Sequence, residues 1–124
     1  MIEMFREFLF NEAPTYFIRS VGGLDLPEDY LEFMSRHDGG EGPIGENGYG
    51  CFYSLRDLEA VNDEYQVQEY WSGYVVIGSD MGDMLWAYNP EKEVYCQIDC
   101  CNIDEDTYSD VSGSFEEFVK KIGE

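Results

Sequence analysis

The apolar positions of this 124-residue chain change period several times, and each change marks an element. Ile2, Phe5 and Leu9, with Phe8 beside them, recur at helical spacing and predict a helix over residues 1–10, closed by Pro14. Leu26-Pro27 opens a second helix. Asp25 or a neighbour is placed to cap it, Glu28 and Asp29 suit its positive first turn, and Tyr30, Phe33 and Met34 give it an apolar face. Asp38-Gly39-Gly40-Glu41-Gly42-Pro43 ends that helix, and residues 45–50 read as loop. Residues 50–53 form a short strand. Ser54, with Asp57 three residues on, reads as a helix start. The stripe Leu55, Leu58, Val61 and Tyr65 predicts one helix running to about Tyr70.

Residues 74–77 are β-branched and continuous, as in a buried central strand. Residues 84–88 and 94–98 follow across tight turns at 78–83 and 89–93, so three strands predict an antiparallel meander. Ser114 and Glu117 match a capping box, and Phe115, Phe118, Val119 and Ile122 share one helical face. No repeat or linker interrupts the chain. The expectation is one α+β domain over residues 1–124, with an antiparallel or mixed sheet and helices packed mainly on one face.

Hydrophobic residues make up 44%, with ten Tyr and eight Phe, enough for one sizeable core. The first residues carry acids where a secretory signal needs bases, and no apolar run could span a bilayer, so a cytoplasmic protein is expected. Cys51, Cys96, Cys100 and Cys101 lack zinc-site spacing and are expected to be thiols. Asp80 and Asp83 offer oxygen ligands, but their loop lacks the EF-hand pattern and reads as a hairpin turn. His37 could activate Cys51, Cys96 or Cys100 only if the fold joined them. No phosphate-cradling loop or Gly-x-Ser-x-Gly elbow is present. No metal, no cofactor and no enzymatic activity are expected.

Charge changes the picture most. The chain holds 27 acids against 7 bases, a formal charge of -20. Like charges penalise the compact state, so the excess points to a cationic protein partner, with nucleic acid and anionic membrane repelled. Residues 63–124 hold 15 acids and 3 bases, and Asp99 to Glu117 holds seven acids and no base. Such a run reads as a solvated face, a mobile loop or a docking surface. Aromatic area beside carboxylates makes Tyr65, Tyr70, Trp71, Asp104, Glu105, Asp106, Tyr108 and Asp110 the candidate partner-binding residues. A monomer or a homodimer through an exposed strand edge fits equally.

The order of landmarks resembles the SUKH superfamily (Smi/Knr-like). Leu26-Pro27 with Tyr30 and Phe33 is similar to its Leu-Pro helix, and Asp38-Gly39-Gly40 to its Asn-Gly-Gly segment. Gly78 to Asp83, leading into Trp86-Ala87-Tyr88, is similar to its Gly-x-Asp-x-Gly-Asp hairpin, and Ser114-Phe115-Glu116-Glu117-Phe118 to its closing helix. The resemblance implies an immunity protein that binds and neutralises a toxin, often a nuclease; the fungal relatives imply the alternative of a regulatory or scaffold module without a toxin. A nuclease presents a basic cleft to hold phosphates, which an acidic protein can cover. No catalytic residue is carried over. One measurable consequence of the charge is that moderate salt screens self-repulsion. The melting temperature at neutral pH should therefore rise on salt addition; a fall would mean that the acids sit in stabilising pairs.

Overall fold

The fold is given by a computed structural model, which describes residues 2–101 and 108–124. In chain order the elements are β1 (Leu9–Phe10), β2 (Ser20–Val21), β3 (Leu24–Asp25), α1 (Glu28–Arg36), β4 (Gly40–Ile44), β5 (Gly48–Phe52), α2 (Leu58–Glu64), α3 (Val67–Tyr70), β6 (Val75–Ser79), β7 (Met84–Asn89), β8 (Val94–Asp99), β9 (Tyr108–Ser112) and α4 (Phe115–Ile122). Among the described residues, seven strands form one antiparallel sheet in the order β1-β4-β5-β6-β7-β8-β9, and β2–β3 make a separate hairpin. The fold is α+β, with the expected meander at its centre.

The central strands are buried on both faces. Val75, Ile77, Trp86, Tyr88 and Tyr95 alternate into one core, closed by α1 and α4 through Tyr30, Phe33, Met34, Phe115, Phe118 and Val119. Val76, Leu85, Ala87, Cys96 and Ile98 alternate into a second core, closed by Val67 and Trp71 of the α3 region with Tyr74. The two longer helices thus lie on one face and α3 on the other, while α2 sends Leu58 into the first core and Val61 against the second.

Asp29 ties three elements of the first core together. Its Oδ1 accepts from the Tyr30 amide (2.8 Å) and the Tyr95 hydroxyl (2.5 Å), and its Oδ2 accepts from the Phe115 amide (2.8 Å). Ser114 Oγ accepts from the Glu117 amide at 3.1 Å, as the capping box predicts.

Asn62 joins α2 to β6 beside the second core. Its amide nitrogen donates to the carbonyls of Leu58 (2.8 Å) and Val76 (3.0 Å), and its oxygen accepts from the Val76 amide (2.8 Å). β5 pairs with β6 only through Ser79 and Gly78, so Val76 has an open backbone edge there, and the side chain of Asn62 takes the place of a strand.

Several expectations are corrected. Residues 1–10 hold a 3₁₀ turn over Ile2–Phe5 and then β1, not a helix. The aromatic rings of Phe5, Phe8 and Phe10 pack together instead, and the segment lies on β4 because glycine leaves room. Gly42 (φ 150) would place a Cβ 2.9 Å from the Phe8 Cα. The stretch 39–50, read as a helix end and loop, is the β4–β5 hairpin. Ser54 does not cap; its hydroxyl donates to Asp57 Oδ2 (2.8 Å), while Asp38 Oδ1 accepts from the Leu55 amide (2.8 Å). Asp25 does not cap α1 either: it lies in β3, and Pro27 is the N-cap. The single helix to Tyr70 is broken at Gln66, whose φ of 52 re-aims Val67 and Trp71 onto the sheet. The acidic run contains β9, hidden from pattern reading because four of its five residues are exposed.

Two predictions follow from these contacts. Asn62→Ala leaves buried backbone groups of Val76 unpaired and should cost about 3 kcal/mol in denaturant unfolding; a loss below about 0.5 kcal/mol would show the clasp to be dispensable. Burial pushes the Tyr30 and Tyr95 hydroxyls well above their ordinary value of 10, Tyr95 also through its bond to Asp29, and pushes the Cys96 thiol from 9 to about 12. The folded state keeps these protons while the unfolded chain releases them, so the stabilisation is whole below the unfolded values and is lost as pH rises beyond them. Denaturation midpoints should fall above about pH 10, by roughly 1.4 kcal/mol per pH unit for each such tyrosine. A midpoint unchanged through about pH 11 would mean that these hydroxyls ionise in place.

Candidate functional site

The β4–β5 hairpin is polarised by its own sequence. Gly40, Gly42, Gly48 and Gly50 fall on the core side of the sheet with Ile44 and Phe52, while Glu41, Pro43, Tyr49 and Cys51 fall on the other side. The register carries that second side onward: Leu9 lies opposite Glu41, and Cys51 opposite Ser79. Helices α2 and α3 cover this face over β6–β8, and among the described residues no helix covers its β1–β5 half.

The open half is a cleft of about 880 Å³ lined by Leu9, Glu41, Pro43, Tyr49, Cys51, Tyr53, Tyr65, Ser79 and Met81, with Glu7 and Asp57 also in its wall. Large hydrophobic side chains are exposed here to an unusual degree: Leu9 77%, Met81 55%, Tyr49 49% and Tyr65 39%. Among the described residues no lysine or arginine lines the cleft. Its charge comes from Glu7, Glu41 and Asp57 and is negative.

The polar groups of the floor are neutral at physiological pH. Burial raises the Cys51 thiol and pushes the Tyr53 hydroxyl up to about 12. Tyr49 donates to Glu41 Oε2 at 3.1 Å, and that bond, then the carboxylate charge, raises its hydroxyl. Thiols held above their ordinary value are poor nucleophiles. His37 stacks on Phe10 at 4.1 Å on the α1 side, while Cys51 and Cys96 face the other side of the sheet, so the fold does not assemble a thiol–imidazole pair from them. Asp80 Oδ1 accepts from the amides of Gly82 (2.8 Å) and Met84 (3.1 Å), which makes the 78–83 segment a hairpin turn. Among the described residues no group of three or more His, Cys, Asp or Glu is arranged to hold a metal ion.

The candidate residues taken from sequence scatter. Tyr65 lies in the cleft. Tyr70 is exposed at the end of α3, and Trp71 is 4% exposed within the second core. Tyr108 stacks on Tyr74 at 4.9 Å, and Asp110 accepts from Gln97 Nε2 at 2.5 Å, both on β9 at the far edge of the sheet. Asp104, Glu105 and Asp106 lie outside the described residues. Leu9, Glu41, Tyr49 and Met81 were missed. The available signal was the alternation of glycine with larger residues in Gly40-Glu41-Gly42-Pro43 and Gly48-Tyr49-Gly50-Cys51, a strand period written in glycine.

The sequence profile of the SMI1 / KNR4 family (SUKH-1) matches residues 18–121. The chain belongs to this family. No curated protein matches it. In this SUKH-1 chain the recurrent landmarks serve the fold: Tyr30 and Phe33 fill the first core, Asp38 receives the Leu55 amide, and Asp80 closes the β6–β7 turn. The open cleft takes Ser79 and Met81 from the Gly78–Asp83 landmark, while Leu9, Glu41, Tyr49 and Tyr65 come from outside the landmarks. Among the described residues no helix is long and apolar enough to cross a membrane.

Proposed function

We propose that this SUKH-1 protein is a non-enzymatic immunity protein that binds and neutralises a basic toxin domain, of the nuclease class, on the open half of its sheet. One observation carries the reading: four exposed large hydrophobic side chains from separate elements converge on one cleft whose charged lining is entirely acidic. Interfaces use aromatic and methionine side chains for area and charge for steering. A net charge of -20 adds attraction for a cationic partner over the whole surface. Family membership supports the immunity class. The partner's phosphate-binding cleft is itself basic, so one surface serves both its substrate and its inhibitor.

The test is capture from the source lysate with the intact protein as bait, elution by a salt gradient, and assay of the eluted protein for toxicity. A basic toxin whose activity the bait quenches is expected, and Glu41→Lys with Asp57→Lys should weaken its binding by about tenfold or more without lowering the melting temperature. A non-toxic cellular partner would replace the immunity reading with that of a regulatory module. Full retention by the charge-reversed bait, with loss on Tyr108→Ala instead, would move the docking face to β9.

A further inference from the structure

We propose that the open face receives an arginine-bearing segment of the basic partner, its guanidinium laid against Tyr49 and forked onto Glu41. This rests on the docking face proposed above and specifies the side chain that it takes. Tyr49 and Glu41 are both exposed, stand on adjacent strands, and are joined by the hydroxyl-to-carboxylate bond at 3.1 Å. That bond occupies a single acceptor position on Oε2 and holds the carboxylate beside the ring, leaving Oε1 for a cation. Leu9, opposite Glu41 in register, and Met81 flank the pair with apolar surface.

This arrangement suits one cation better than the other. Guanidinium is planar, stacks on aromatic faces, carries five N–H donors around its rim and is weakly hydrated. It can lie on a tyrosine between apolar neighbours and still satisfy its donors at the carboxylate edge. Lysine's ammonium is compact and strongly hydrated, and the same apolar walls would strip water that one carboxylate does not replace. The neutral floor of Cys51 and Tyr53 adds no second charge at physiological pH to draw the cation away from Glu41. A cleft of about 880 Å³ far exceeds one guanidinium, so the occupant is a stretch of chain presenting the arginine, not free arginine.

The experiment is an amide NMR titration of the intact protein with two end-blocked peptides of equal charge, tetra-arginine and tetra-lysine. The expected result is that tetra-arginine shifts the resonances of Leu9, Glu41, Tyr49 and Cys51 with an affinity about fivefold or more above that of tetra-lysine. Glu41→Gln and Tyr49→Ala, both at exposed positions, should each weaken tetra-arginine by about fivefold with unchanged melting temperature, and Tyr49→Phe should keep most of the binding because the ring remains. Equal affinity of the two peptides at the cleft would overturn the arginine inference and leave the docking face standing. Shifts centred elsewhere, on Glu59 and Asp63 or on Glu32, or no binding by either peptide, would overturn both.

Discussion

The clasp of Asn62 on Val76 decides how much of the sheet the helices cover. β5 leaves β6 after Phe52, and the exposed backbone edge of β6 would need a strand or water. Asn62 supplies one donor and one acceptor from a helix instead, which fixes α2 over β6. The left-handed Gln66 then turns α3 toward β7 and β8, where Val67 and Trp71 seal the second core. With both short helices committed to that half, no helix among the described residues covers β1, β4 and β5 on this face. The open face is a consequence of where one amide side chain is satisfied.

The hairpin that forms this face makes the complementary choice. Packing on the α1 side leaves no room for side chains at Gly40, Gly42, Gly48 and Gly50, where N-terminal backbone, Trp86 and the end of α4 approach closely. Only Ile44 and Phe52 reach the first core from β4 and β5. Every other side chain of the two strands is therefore directed to the open face. A hairpin with bulky residues on both sides would lift the N-terminal segment and Trp86; the glycines keep one side thin and concentrate chemistry on the other.

Elements with strong local signals were legible in the sequence. The β6–β8 meander, α1 and the capped α4 each combine apolar periodicity with a turn or cap residue, and each is where the pattern places it. The misread elements share a different cause. β4 has glycine at two of its five positions and carries no hydrophobic alternation, β1 spans two residues, and β9 is almost wholly exposed, so none writes burial into its side chains. The site was harder still. Sequence reasoning grouped aromatic and acidic residues that are neighbours along the chain, whereas Leu9, Glu41, Tyr49, Tyr65 and Met81 meet only through the register of four strands and the position of α2. Trp71 illustrates the limit: it sits beside Tyr70 in sequence, yet the break at Gln66 turns one inward and leaves the other in solvent.

The charge and the cleft act at different ranges, which would let a domain this acidic select one partner in the proposed docking. At physiological ionic strength the field of the surface acids extends only about 8 Å before salt screens it. Within that distance it draws in any cationic protein and raises the encounter rate, but it does not distinguish one basic surface from another. Discrimination falls to contacts that desolvate, and in this fold exposed apolar area and fixed carboxylates coincide at the cleft. In the proposed docking, charge sets how fast a partner arrives, and the glycine-backed hairpin sets how long the right one stays. Exposed ion pairs such as Arg19–Glu28 and Arg36–Glu32 neutralise acids on and beside α1, away from the cleft, so the local balance leaves the open cleft more uniformly acidic than α1.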